Sequence, residues 1–273
     1  MRDLLVLCYH AVSPTWPAAL SVTPDSFERQ IEELARRGYR GAGFTQAVTG
    51  GADGRVVAVT FDDNYRSVLE LAKPILDRHG YVGTVFVPTD WPGDTRPMQW
   101  QGIDRWLGTP HEQEMRCLTW PELGELDDAG WEIGSHTGSH PHLPELDDST
   151  LERELRDSKA RIQSELGRPC TSLAYPYGEV DHRVVRATGQ AGYVVAGTIP
   201  RVLAAPTPLL WPRAAIFHDD GLSRFRTKIS PTMRRLRRWP PGVVLDRARV
   251  ALAGRRESHV GSFDDRREPA DMS

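Results

Sequence analysis

Short, wholly apolar runs alternate with longer amphipathic stretches along most of this chain, and that alternation restricts it to a β/α architecture. Apolar runs at residues 4–9, 56–61, 82–87, 131–134, 171–175 and 193–198 read as buried strands. Between them fall helical patterns. One starts at about Asp25 as N-cap, buries Phe27, Ile31, Leu34 and Ala35, and stops at Gly38. Others are predicted over 65–79, from a Thr119 cap to 129, over 148–166 and over 181–190. From Pro88 to about Cys117 the regularity fails, and Trp91, Trp100 and Trp106 stand among Pro, Gly and polar residues. This segment reads as a surface insertion with aromatic anchors.

Bulk properties narrow the class. With 273 residues, 39% of them hydrophobic and 26% charged, the chain suits one sizeable soluble domain. A net charge of −3 gives no general field for a polyanion, so no nucleic-acid partner is expected. Three scattered cysteines, Cys8, Cys117 and Cys170, form neither a disulfide framework nor a cysteine-based zinc site. The first apolar run is too short for a signal peptide, and no segment reaches the length of a membrane span, so a cytoplasmic location is expected.

Two constellations carry chemistry. Asp62 and Asp63 close the apolar run 56–61, at the strand end where β/α folds place their sites. Successive strand residues point to opposite sides, so the two acids are expected to differ in role unless the chain bends sharply there. About seventy residues on, His136 and His140 are spaced to put both rings on one side of a helical turn, or of a loop that achieves the same. Neutral imidazole with carboxylate is a donor set for zinc, and cobalt, nickel and manganese accept it too. His142 is a competing ligand on another face.

The motifs Thr60-Phe61-Asp62-Asp63, His136-Thr137-Gly138-Ser139-His140-Pro141-His142-Leu143 and Tyr175-Pro176-Tyr177-Gly178 occur in that order. Together with Cys8-Tyr9-His10 and the pattern Phe27, Gln30, Ile31, Leu34, Gly38 and Tyr39, they resemble the polysaccharide deacetylases of the NodB-homology, or carbohydrate esterase 4, superfamily, over roughly residues 4 to 217. The resemblance implies a distorted (β/α)7 TIM-like barrel that hydrolyses an N-acetyl group on a sugar with one divalent metal ion. It implies Asp62 as general base, Asp63, His136 and His140 as metal ligands, and the backbone N–H of Tyr177 as an oxyanion donor. Tyr175 and His10 are expected substrate contacts at the barrel mouth.

Two departures stand out. The family's third motif usually carries an arginine two residues before its proline, where this chain has Ala174, and Arg213 in Trp211-Pro212-Arg213 is expected to supply the guanidinium instead. The family's general acid is a histidine in a Leu-x-His motif. Ile216-Phe217-His218 spells something similar, but no partner acid is evident at 193–200, which leaves His10 as a second candidate.

The expected organisation is a barrel over 1–221, with the insertion at about 88–117, and a basic C-terminal extension over 222–273 whose last part is frayed. In that extension Arg224, Arg226, Lys228, Arg234, Arg235, Arg237 and Arg238 occur without an acid among them. They read either as a solvated helix or as a peripheral contact with a membrane or lipid-linked sugar. The leading expectation is deacetylation of an N-acetylated sugar or glycoconjugate precursor. Hydrolysis of a small non-sugar amide on the same fold and a non-catalytic carbohydrate-binding relic are the alternatives.

Overall fold

The computed structural model describes residues 3–50, 54–199 and 206–232. Seven parallel strand positions form a nearly closed barrel with helices outside. They are β1 (Asp3–Tyr9), β2 (Arg55–Phe61), β3 (Gly83–Val87), β4 (Glu132–Ser135), β5 (Ser172–Ala174), β6 (Val195–Thr198) and a split β7 (Trp211–Pro212 and Ala214–Ala215). The first half of β7 pairs with β6 and the second half with β1. Five consecutive residues therefore cross from one edge of the sheet to the other, with Arg213 at the crossing. The distorted seven-stranded barrel expected from the sequence is the fold observed.

Strand alternation explains the layering. Leu5, Leu7 and Tyr9 of β1, Val57, Val59 and Phe61 of β2, and Val85 and Val87 of β3 face the helices in the larger core. Val6, Ala58, Phe86, Ala174 and Val195 form a second cluster with Phe44, Ala47 and Val48. Those last three residues belong to a short helix, Phe44–Thr49, that the sequence did not reveal because six residues are too few to show a period.

The helices follow their caps. Helix α1 (Pro24–Arg36) is capped by Thr23, whose hydroxyl accepts from the Ser26 N–H at 3.2 Å. The expected cap, Asp25, is instead in the first turn, because Pro24 has no N–H to lose and a φ suited to the first helical position. The helix expected over 65–79 begins as a π-helical turn, Val68–Ala72, before α2 (Lys73–Arg78). Pro74 accounts for this: its ring crowds the carbonyl four residues back, and the wider turn relieves that contact. Helices α3 (Trp120–Asp128, with a Thr119–Glu122 capping box), α4 (Asp148–Leu166) and α5 (His182–Gln190) start and stop close to expectation.

The insertion holds two 3-10 turns, Asp104–Trp106 and Glu112–Met115, and its Trp91, Trp100 and Trp106 pack partly buried against the core. Helix α6 (Leu222–Ile229), placed by the sequence in the extension, buries Phe225 and Ile229 in the main core. Its cations are engaged with acids of the fold: Arg224 and Lys228 with Asp220, and Arg226 with Glu33. Arg234, Arg235, Arg237 and Arg238 lie outside the described residues. No helix among the described residues is long and apolar enough to cross a membrane.

Glu33 joins α1 to α6. Its side chain is 3% exposed and accepts from Arg36, Arg37 and Arg226, which together hold its carboxyl down at about 2. The folded value lies below the unfolded one of about 4.3. The pairing therefore contributes fully above that pH and is lost as the pH falls towards 2. Glu33→Gln is expected to lower stability by about 1 kcal/mol at pH 7, since two of the three arginines are largely exposed. Denaturant unfolding of the two proteins at pH 7 and near pH 3 checks it, because the gap must narrow at the lower pH.

Candidate metal-binding active site

The candidate residues stand at the C-terminal ends of the strands, several on the last rung of the ladder. The Asp62 N–H donates to the Tyr9 carbonyl at 3.0 Å, His136 to Val87 at 2.8 Å and Arg213 to Thr198 at 2.9 Å. Beyond Asp62 the backbone turns left-handed at Asp63 (φ 69°) and Asn64 (φ 59°), a conformation that short polar side chains tolerate best. Asn64 is pinned by donating to the Leu118 carbonyl and accepting from its N–H. This is the sharp bend that brings two adjacent carboxylates to one cleft. Asp63 Oδ1 lies 3.3 Å from His136 Nε2 and 3.4 Å from His140 Nε2, and Asp62 Oδ2 stands 4.0 Å from His136 Nε2.

The histidine motif is a loop, not a helical turn. Thr137 (φ 69°) and His140 (φ 65°) are both left-handed, and β4 ends just before His136. Glu154, on α4, holds the loop: its carboxylate accepts from the N–H groups of Gly138 and Ser139 at 2.7 and 3.0 Å and from the Ser139 hydroxyl at 2.7 Å. A Cβ at position 138 would stand 3.0 Å from that carboxylate, so any larger residue there would push against the group that holds the loop. His136 Nδ1 lies 2.8 Å from the Ala174 carbonyl, which takes its proton and leaves Nε2 facing the carboxylates. His140 is packed between Trp100, stacked at 4.4 Å, and the edge of Tyr177 at 4.6 Å.

The donor set fits a metal ion. Around a tetrahedral ion about 2.0–2.1 Å from each nitrogen and oxygen, neighbouring donors stand about 3.3 Å apart, close to the two Asp63–His separations. Asp63 Oδ1 is buried and, among the described residues, has no hydrogen-bond partner. Burial pushes both carboxyls up, but other groups outweigh it. Arg213 and His136 hold Asp62 well below the carboxylate range, and His136 and His140 lower Asp63. Burial takes His140 down to about 3, so its ring is neutral and ready to ligate. His136 is also penalised by burial, yet the two carboxylates raise it overall.

Arg213 fills the place that Ala174 leaves. Its two terminal nitrogens donate to Asp62 Oδ1 at 2.6 Å and Oδ2 at 2.8 Å, and one also reaches the Thr60 hydroxyl at 3.2 Å. Both side chains are buried, and the guanidinium lies over the Phe86 ring at 5.3 Å. Gly197 makes this possible: a Cβ there would come within 2.7 Å of the Arg213 side chain.

The remaining candidates separate. Tyr177 (φ 57°) is at the cleft, stacked flat on His142 at 3.9 Å. His142 in turn bonds Glu179 at 2.8 Å and Gln101 at 3.3 Å, which takes it away from the metal donors. Tyr175, expected as a substrate contact, is fully buried in the outer core and donates its hydroxyl to the Leu209 carbonyl. Ala174 faces the barrel interior, so its neighbour must face the helices. His10 stands beside Asp62, with a ring nitrogen within 4.8 Å of its carboxylate. His218 is held elsewhere, with Nδ1 3.0 Å from the Ser21 carbonyl and its N–H on Ala19. Sequence reasoning missed Glu154, Gly197 and the contact of Trp100 with His140. Only Trp100 gave a signal, as one of the insertion's tryptophans.

Residues 49–196, more than half of the chain, match the sequence model of the family described as polysaccharide deacetylase. YxkH of Bacillus subtilis, a polysaccharide deacetylase by name, is 26% identical over 235 residues, covering 84% of this chain and 72% of its own. The poly-beta-1,6-N-acetyl-D-glucosamine N-deacetylase of Staphylococcus epidermidis is 21% identical over 199 residues, covering 68% of this chain and 64% of that protein. Among solved structures, the deacetylase PplD of Streptococcus pyogenes, in complex with acetate, superposes with a TM-score of 0.70 at 22% identity. It covers 84% of this chain and 98% of that one. At these identities the structural likeness speaks for the fold.

Replacing Arg213 by alanine leaves the buried Asp62 charge without a partner, so stability should fall by about 3–5 kcal/mol and turnover should collapse. Gly197→Ala should reproduce part of the loss by displacing the guanidinium. Urea unfolding and turnover assays of both variants, with metal content measured in parallel, decide the matter; full activity in Arg213→Ala would show that Asp62 needs no cation.

Proposed function

The chain belongs to the polysaccharide deacetylase family, a family of amide hydrolases that remove N-acetyl groups from sugars, and we propose that it does so with Asp62 as base beside a divalent metal ion on Asp63, His136 and His140. The observation that carries this reading is the division of labour between two adjacent aspartates: one is locked by Arg213, the other aims a free oxygen at two imidazoles. The two nitrogens and one oxygen suit zinc, and cobalt, nickel and manganese as well. When bound, such an ion supplies Lewis acidity to the amide carbonyl and acidifies a water molecule.

The chain's own groups do the rest. Asp62 is ionised at neutral pH and held in one orientation, so it accepts the proton of the attacking water without reorganising. The Tyr177 backbone N–H is assigned to the oxyanion formed on the carbonyl oxygen. As the C–N bond breaks, the departing nitrogen must gain a proton. We assign that proton to His10, which stands within 4.8 Å of Asp62, ahead of His218, whose ring is engaged with Ser21. Trp100, Tyr177 and His142 present aromatic rings beside the site, surfaces suited to the apolar face of a sugar ring.

An N-acetylated sugar or glycoconjugate precursor is the proposed substrate, supported by the family and by the N-acetyl-glucosamine polymer named for the staphylococcal relative. A cytoplasmic location is proposed with it, supported by three cysteines that are all free thiols.

Purified protein loaded with zinc should release acetate from N-acetyl-glucosamine oligomers, and a chelator should abolish the release. Asp62→Asn should lower turnover by at least ~10²-fold while metal content is retained, whereas His140→Ala should lose the metal. Failure of chelation to affect acetate release would refute the metal-dependent reading. In pH–rate profiles the basic limb should change in His10→Ala and persist in His218→Ala, because a proton donor fails as the pH rises.

A further inference from the structure

A second group of metal-binding donors lies against the first. Cys8 and His10 are two residues apart at the end of β1, so both follow Val6 onto the inward face of the strand. Cys8 is fully buried, and its thiol donates to Asp62 Oδ2 at 3.3 Å. Ligand atoms of Cys8, His10 and Asp62 all stand within 4.8 Å of one another. The Nδ1 of His10 is buried and, among the described residues, has no hydrogen-bond partner, so no hydrogen bond competes for that nitrogen as a ligand.

The separation of sulfur and oxygen suits zinc. An ion about 2.3 Å from sulfur and about 2.0 Å from oxygen, in tetrahedral geometry, sets those two donors about 3.5 Å apart, close to the 3.3 Å between Cys8 Sγ and Asp62 Oδ2. The carboxylate retains capacity for the ion: Arg213 takes one direction on each oxygen, and the only other donor to Oδ2 among the described residues is the thiol that the ion would deprotonate. Binding replaces that proton, which leaves to solvent, and forms a sulfur–metal bond. The donor types also differ between the two groups. Asp63, His136 and His140 offer no sulfur and accept manganese as readily as their geometry allows, whereas a thiolate selects zinc or cadmium over manganese.

We propose that Cys8, His10 and Asp62 form a second, zinc-selective site whose occupancy inhibits the enzyme by capturing its base. The inhibition rests on the role of Asp62 given above; the binding does not. Zinc would then support turnover at one equivalent and suppress it in excess, while excess manganese would not. Since loss of a ligand costs at least as much as loss of a group that only orients one, removing the thiol should raise the half-inhibiting zinc concentration by at least ~10-fold.

The test uses the full chain with one equivalent of zinc already bound. Cadmium is titrated and the ultraviolet thiolate-to-cadmium charge-transfer band is followed; acetate release is then measured against added zinc and added manganese. The wild type should show the band and inhibition by zinc alone. Cys8→Ser should lack the band and tolerate more zinc, each variant being compared with its own activity at one equivalent. His10→Ala, read by the band's midpoint, should bind cadmium more weakly and guards against a fold defect in the serine variant. The same band in His140→Ala separates the two sites: if it survives there, the second site stands even if the proposed metal triad does not. A band unchanged in Cys8→Ser, or equal inhibition by zinc and manganese, overturns the proposal.

Discussion

The buried pair of Arg213 and Asp62 is the contact on which both the barrel and the site depend. It crosses the seam where the split β7 leaves β6 for β1, so it holds together the two edges of the sheet. It also fixes the carboxylate through both oxygens. A buried ion pair adds little net stability, because desolvating two charges offsets most of their attraction. What it contributes here is orientation and charge state. Asp62 remains an anion in a place where burial alone would have neutralised it.

Backbone conformation is the second constraint, and it is concentrated. Among the described residues, those other than glycine with left-handed φ are Asp63, Asn64, Thr137, His140 and Tyr177, all in or beside the cleft. Each such residue costs of order 1–3 kcal/mol unless its surroundings compensate. The compensation is visible in the ladder bonds below the site, in Leu118 on Asn64, in Glu154 under the histidine loop, and in the rings of Trp100 and His142 around His140 and Tyr177. The candidate metal ligands are thus brought together by turns that the barrel imposes at its strand ends.

Most of the barrel and the principal candidate metal ligands were legible because each rests on local pattern. Apolar runs mark strands, and Asp62, Asp63, His136 and His140 lie within short motifs beside them. The rest depends on contacts between distant segments. The bend at Asp63 and Asn64 has no sequence mark beyond two tolerant residue types. Glu154 resembles any other acid on an amphipathic helix until its loop is folded over it. Tyr175 lies in a recognisable motif, yet strand alternation turns it into the core, so motif membership said nothing of where its side chain points. The Phe44–Thr49 helix is too short to carry a period, and the start of α1 was set by a proline rather than by the nearest acid.

The pairing of Arg213 with Asp62 places demands on its neighbours. With the guanidinium supplied from β7, Ala174 is interior packing, its carbonyl orients His136, and Gly197 must stay bare so that the arginine can pass. Ala174, Gly197 and Arg213 lie on three strands, and the sequence separates them by more than the span of any motif. They are coupled through the volume of one side chain. A substitution at Ala174 or Gly197 therefore acts on Asp62 without touching it, through the position of the Arg213 guanidinium.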